Sequence, residues 1–237
     1  MSVPPPPLLF SRTVVVSGAS RGIGLAIADE LGAAGAHVVR LARSLVDMEA
    51  ERRTDLRCDV GDPASVAAMA QRVLGTHGTP DVVVNAAGVF LVKPLVETTP
   101  EEFRGQLDGN LVGPFLVLRA FLPAMIARGR GLVVTIGSVA DHAAFAGNAA
   151  YGAAKTGLRG LHAVLEKELR KTGVRATLVS PGPVDTAIWD PVDPDTKPGF
   201  TPRARMLKPE DVAEAVTFIV TRRDEVHIPE LLIEPRS

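Results

Sequence analysis

Tyr151 is the only tyrosine in the chain, and Lys155 stands four residues after it in Tyr151-Gly152-Ala153-Ala154-Lys155. On a helix, positions i and i+4 share a face, so these two side chains can meet. A free phenol has a pKa of about 10, and a fixed ammonium nearby favours the phenolate and brings proton transfer toward neutral pH. The pair therefore reads as a general acid and base. A packed tyrosine with a solvated lysine beside it is the plainer alternative, which the rest of the sequence weighs against.

A second feature is the run Ser17-Gly18-Ala19-Ser20-Arg21-Gly22-Ile23-Gly24. It follows an apolar strand pattern, Thr13 to Ser17, and precedes an Ala- and Leu-rich stretch, Leu25 to Ala34, that reads as helix. Glycines allow a tight turn and a close backbone approach to a pyrophosphate, and the free amides of a helix N-terminus attract its charge. Gly18, Ser20, Arg21, Gly22, Ile23 and Gly24 are therefore assigned to a dinucleotide cradle.

The elements that must position these groups alternate between strand and helix. Strand patterns fall at Thr13 to Ser17, His37 to Leu41, Leu56 to Cys58, Asp81 to Asn85, Gly131 to Gly137, Arg175 to Ser180 and Glu230 to Ile233. Their nearly unbroken Val, Leu and Ile content suits burial on both faces. Helical patterns fall between them, at Asn110 to Arg128 and Ala149 to Arg170 among others. The expected fold is α/β: a Rossmann-like, doubly wound, seven-stranded parallel sheet with helices on both faces. The 237 residues suit one domain, 1–237. Residues 1–10, with four consecutive prolines, read as a flexible Pro-rich arm without the features of a signal peptide.

Composition excludes several classes. A net charge of −1 offers no field for nucleic acid or anionic lipid, and Met1 to Phe10 has no apolar stretch long enough for a membrane span. The single cysteine, Cys58, cannot form an internal disulfide, which suits a reducing, cytoplasmic setting. Five scattered histidines offer no metal-ligand spacing, so no metal is expected.

The spacing of Gly18, Gly22 and Gly24 resembles the Thr-Gly-x-x-x-Gly-x-Gly turn of the short-chain dehydrogenase/reductase family, with serine in place of the leading threonine. Further matches follow in family order: Asn85-Ala86-Ala87-Gly88 after a strand, Asn110 in a helical region, Ser138 at a strand end, and Tyr151 with Lys155. Pro181-Gly182-Pro183-Val184-Asp185-Thr186 is similar to the segment that lies beside the nicotinamide. The likeness spans nearly the whole chain.

This resemblance implies a nicotinamide cofactor, and the second strand suggests which one. An acidic residue at the end of that strand usually takes the ribose hydroxyls of NAD and repels a 2′-phosphate. Here the strand ends Val39-Arg40-Leu41-Ala42-Arg43-Ser44, with Ala42 in the acidic position. Arg43 and Arg21 can face one phosphate with charge-assisted hydrogen bonds, and Ser44 can add a hydroxyl. NADP(H) is the expected cofactor. Asp59-Val60 resembles the pair that meets the adenine, although Asp59 can instead cap the helix beginning near Pro63. The segment Ser44 to Arg57 is short for the family's crossover helix.

Hydride transfer to a carbonyl leaves negative charge on oxygen, which calls for a proton donor and a second hydrogen-bond donor there. Tyr151 and Ser138 fill those roles. The resemblance further implies that Lys155 favours the phenolate and bonds the nicotinamide ribose. It also implies that Asn110 links Lys155 to solvent through water, and that Asn85, Ala86, Ala87 and Gly88 flank the adenosine. Pro181, Gly182, Val184 and Thr186 are expected beside the nicotinamide.

Residues 187–207 read as a substrate lid, with Trp189, Phe145 and Phe90 as apolar walls and Arg203 and Arg205 available for an acidic substrate tail. Of the histidines, only His142 sits where it can touch substrate. The expected substrate is a small carbonyl compound or the corresponding secondary alcohol, with a 3-oxoacyl thioester as an alternative. A non-catalytic NADP-binding sensor or scaffold is the rival from another class. The apolar helices Asn110 to Arg128 and Ala149 to Arg170 resemble those the family pairs between subunits, which implies a homo-oligomer, tetramer or dimer.

Overall fold

The computed structural model describes residues 9–236, so most of the Pro-rich arm lies outside the described residues. The two arm residues that are described include a docked one. Leu9 is buried in the core, and its N–H donates to the Ala34 carbonyl at 3.0 Å.

The strands are β1 (Thr13–Ser17), β2 (His37–Ala42), β3 (Met48–Ala50), β4 (Arg53–Arg57), β5 (Val82–Asn85), β6 (Gly131–Ile136), β7 (Val174–Pro181) and β8 (Glu230–Ile233). The helices are α1 (Gly22–Ala33), α2 (Pro63–His77), α3 (Pro100–Leu107), α4 (Gly113–Arg128), α5 (Ala149–Glu168) and α6 (Pro209–Val220). The eight strands lie in one sheet of order β3-β4-β2-β1-β5-β6-β7-β8.

Seven strands run parallel, as expected; the eighth, β3, is an addition that pairs antiparallel with β4. Its cause is the short segment between β2 and β4. About a dozen residues are needed for a helical crossover, and the chain here makes its return as an edge strand instead. Arg72 on α2 clamps that hairpin by pairing with Asp47 and Glu49.

Strand alternation divides the core into two layers. Val14, Val16, Val38, Val84 and Val134 pack against α1 and α6 through Ile27, Leu31, Val212 and Val216. Val15, Val39, Leu41, Val83 and Val133 pack against the other face, through Val66, Val73, Val117 and Phe121 of α2 and α4. Burial on both faces is why these strands are uniformly apolar.

Arg40 interrupts that pattern. It sits opposite Asp55 in the β2–β4 register and makes two hydrogen bonds to its carboxylate, both 2.7 Å, while Arg53 makes two more. Arg40 is thus a buried cross-strand brace.

The site is positioned by β1, which pairs with β2 on one side and β5 on the other. The chain winds away from β1 in opposite directions, and ligands in such sheets bind beyond the carboxyl ends of the strands at this reversal.

Candidate active site

A cavity of about 1190 Å³ opens beyond those strand ends. Its glycine turn is fixed by crowding. Gly18 has φ +71°, and a Cβ there would lie 2.7 Å from the Ala87 backbone, so the loop after β5 presses directly on the turn. The Ser17 hydroxyl holds that loop in place by accepting the N–H groups of Ala86 and Ala87, each at 3.2 Å. At Gly24 a side chain would collide with the Gly18 carbonyl, which lets α1 start close against the turn. Arg21 occupies the N-cap of α1 without a side-chain cap bond, leaving the helix amides to a ligand.

Every expected site residue lines this cavity except Asn85: Gly18, Ser20, Arg21, Gly22, Ile23, Gly24, Arg43, Ser44, Asp59, Val60, Ala86, Ala87, Gly88, Asn110, Ser138, Tyr151, Lys155, Pro181, Gly182, Val184 and Thr186. Asn85 corrects the expectation. It is still inside the sheet, paired with Ser17 and Thr135, and its side chain is buried without a hydrogen-bond partner among the described residues. Ala86 and its neighbours, one step beyond the strand, reach the cavity in its place.

Arg21 and Arg43 are exposed at the cavity rim and form no ion pair among the described residues. Asp59 lies at the same end with its carboxylate on the Gly61 N–H at 3.0 Å. The cap of α2 is Asp62, which accepts from Ala64 and Ser65. Asp59 is thereby left facing the cavity. These residues fit a dinucleotide: a backbone cradle for the pyrophosphate and two unpaired guanidinium groups for a further phosphate.

Farther along the cavity, α5 carries Tyr151 and Lys155 one turn apart. The Lys155 Nζ lies 5.7 Å from the centre of the Tyr151 ring and donates to the Ile136 carbonyl at 3.0 Å. The expected acidification of the phenol is not found in this geometry. Burial pushes Tyr151 up to about 12, opposed by a hydrogen bond from Ser138 and reinforced by the negative charge of Asp141. Burial also pushes Lys155 down to about 8, with Asp141 pulling the other way. Desolvation outweighs the Ser138 hydrogen bond, so the phenol rests protonated, the form that donates a proton.

Ser138 ends the loop after β6 and caps the short turn Val139–Asp141, accepting the Ala140 N–H at 3.2 Å. Asp141 was not foreseen as part of the site. Its buried carboxylate accepts from the Ser180 hydroxyl at 3.1 Å and braces the Ser138 N–H at 3.4 Å. The Ser-x-x-Asp spacing, a capping-box pattern, is the signal that marks it.

Asn110 lies in a π-helical turn, Asp108–Val112, between α3 and α4. Its side-chain amide donates to the carbonyls of Val89 at 2.8 Å and Gln106 at 3.0 Å, and its carbonyl oxygen accepts from the Val89 N–H at 3.3 Å. The side chain therefore fixes the loop after β5. Wide helical turns of this kind cluster at functional sites.

The segment expected to form a lid, 187–207, is irregular apart from short turns at Ala187–Trp189 and Arg203–Arg205. Its ends are tied where Asp185 donates to the Leu207 carbonyl and Leu207 to the Pro183 carbonyl. Phe90 meets the Tyr151 ring edge-on at 4.8 Å, Trp189 meets Phe90 at 4.8 Å, and Phe200 meets Trp189 at 6.1 Å. Phe145 also lines the cavity; Phe200 was not foreseen. Arg203 is spent within the lid, bonding Asp185 at 2.7 Å and Asp190 at 2.6 Å. Arg205 and His142 do not line the cavity, and His142 turns toward Glu230 at 3.0 Å.

Three comparisons agree with this geometry. The family model described as short chain dehydrogenase matches residues 12–197. An uncharacterized oxidoreductase of Staphylococcus epidermidis is 33% identical over 230 residues, covering 94% of this chain and 97% of its own. The 3-oxoacyl-(acyl-carrier-protein) reductase of Escherichia coli is 32% identical over 89% of this chain and 90% of its own. Among solved structures, a metagenomic short-chain oxidoreductase in complex with NADP superposes with a TM-score of 0.80 at 36% identity, covering 97% of this chain and 99% of that one.

Proposed function

This chain belongs to the short-chain dehydrogenase family of oxidoreductases, and from that premise we propose that it is an NADP(H)-dependent reductase of ketones or aldehydes, able to run in reverse on the corresponding secondary alcohols. The observation that carries this reading is that Tyr151, Ser138 and Lys155 line the same cavity as the glycine turn and the two unpaired arginines.

A bound nicotinamide supplies the hydride. The chain supplies the rest of the balance: one C–H bond forms at the carbonyl carbon, and Tyr151 delivers the proton for the O–H bond. Ser138 orients the carbonyl oxygen by hydrogen bonding and shares the charge that develops on it. Lys155, cationic below about pH 8, stabilises the phenolate left behind and holds the ribose of the cofactor. The Asn110 turn leads the replacement proton in from solvent. Arg43 and Arg21 hold the 2′-phosphate, and Ala42 puts no carboxylate at the end of β2.

A 3-oxoacyl-thioester reductase is a second reading, supported by the likeness to the Escherichia coli reductase. A non-catalytic sensor is disfavoured by the intact set of Asn110, Ser138, Tyr151 and Lys155. We also propose a cytoplasmic homo-oligomer, tetramer or dimer; the exposed Phe115 and Ile126 of α4 and Val164 of α5 support assembly.

The test is the loss of NADPH absorbance with a panel of ketones and aldehydes, with NADH in parallel. Carbonyl-dependent oxidation of NADPH, faster than that of NADH, is expected. No carbonyl-dependent oxidation with either cofactor would contradict the reading.

A further inference from the structure

We infer that the carbonyl substrate is uncharged and carries an aryl or comparably bulky apolar group, seated against Phe90, Trp189 and Phe200 under the lid. This rests on the carbonyl-reductase reading and adds to it the substrate class.

The charged groups along the cavity are unevenly placed. Arg21 and Arg43 stand at the glycine turn and the end of β2, and Asp59, Asp62 and Asp108 cluster around Gly61 at the far nucleotide end. Lys155 lies behind Tyr151 with its hydrogen bond given to Ile136. The apolar lining of the cavity comprises Phe90, Phe145 and, from the lid, Ile188, Trp189 and Phe200, and this part of the wall contributes no charged side chain.

Cations that might have served an acidic substrate are committed or turned away. Arg203 is bonded to Asp185, Asp190 and the Thr186 carbonyl. Arg205 does not reach the cavity. Even the indole N–H of Trp189 is spent, on the Val184 carbonyl at 3.0 Å. A carboxylate or phosphate carried under this lid would lose its water without gaining a partner, a heavy penalty for a charge.

The aromatic chain supplies what such a penalty removes. Tyr151, Phe90, Trp189 and Phe200 meet edge to face in succession, the arrangement that aromatic rings favour. The series begins at the ring that carries the reacting hydroxyl, so an aryl group beside the carbonyl joins it while the oxygen faces Tyr151 and Ser138. The same wall offers nothing to the phosphates of a coenzyme A thioester.

The test compares 4-phenylbutan-2-one, 4-oxopentanoate and acetoacetyl-coenzyme A by NADPH oxidation. In parallel, fluorescence titrations with the first two use Trp189, the sole tryptophan, as reporter. We expect kcat/KM to favour the aryl ketone over 4-oxopentanoate by about a hundredfold, and only the aryl ketone to quench the tryptophan at matched concentration. Phe200→Ala is expected to raise KM for the aryl ketone about tenfold relative to that for butan-2-one. A preference for 4-oxopentanoate or the thioester would overturn the substrate class while leaving carbonyl reduction standing. If no probe is reduced, carbonyl reduction itself fails, and the titration decides the apolar site: quenching by the aryl ketone alone supports it, and no quenching overturns it.

Discussion

The amine of Lys155 supports Tyr151 through the ring, at 5.7 Å from its centre, while its hydrogen bond goes to the Ile136 carbonyl at 3.0 Å. In the proposed reaction the Lys155 charge stabilises the phenolate that Tyr151 becomes, so the protonation state of Lys155 governs the rate. Burial holds Lys155 down to about 8 and Tyr151 up to about 12. Lys155 is a cation below its pKa and neutral above it. In the reductive direction, kcat/KM is therefore expected to be level through neutrality and to fall above about pH 8, since this ratio reports the free enzyme. A pH–rate profile from 6 to 10 checks this, and a profile flat to pH 10 would contradict it.

Arg21 and Arg43 have no ion-pair partner among the described residues, so their removal should act on the cofactor phosphate with little effect on the fold. Each charge-assisted bond is worth about 1.5–3 kcal/mol, and Arg21→Ala with Arg43→Ala should reduce the NADPH over NADH preference in kcat/KM by about a hundredfold or more. An unchanged ratio would remove both residues from phosphate recognition.

His162 on α5 is buried, and neither ring nitrogen has a hydrogen-bond partner among the described residues. Burial pushes its pKa down to about 4 from the ordinary 6.5, so the unfolded chain takes up the proton first as pH falls. The stability this neutral histidine contributes is complete above about pH 6.5 and is lost between there and about 4. Linkage gives about 2 kcal/mol lost between pH 7 and pH 5. Urea unfolding at both pH values should show that loss, and His162→Leu should lose correspondingly less. Equal losses in the two proteins would exclude His162 as the source.

The Arg40–Asp55 brace makes a separate prediction. Asp55→Ala leaves Arg40 buried and unpaired, which costs about 3–5 kcal/mol, whereas Arg40→Met with Asp55→Leu should recover much of it. Denaturant midpoints of the three proteins measure this, and an Asp55→Ala variant as stable as its parent would show the pair to be idle.

The strands and most of the residues that line the cavity were legible because their signals are local. Valine runs buried on both faces mark β1, β2, β5 and β6, and glycine spacing marks the turn. Tyr151 and Lys155 carry their geometry in a four-residue interval. The features that escaped depend on contacts between distant segments. The edge strand β3 exists because β4 and Arg72 are there to receive it. Arg203 reads as a free cation until the lid folds it onto Asp185 and Asp190. The Tyr151 pKa follows from burial, which the i, i+4 spacing does not encode. Asn85 matched a motif yet stayed inside the sheet because β5 runs one residue short of the cavity.

In the proposed reaction the Tyr151 hydroxyl delivers the proton to the carbonyl oxygen. The most direct measurement is kcat of Tyr151→Phe on a reduced ketone, beside its NADPH affinity from cofactor fluorescence. We expect a loss of about a hundredfold to ten-thousandfold in kcat with NADPH affinity within a few-fold of the parent. Turnover near that of the parent would contradict it.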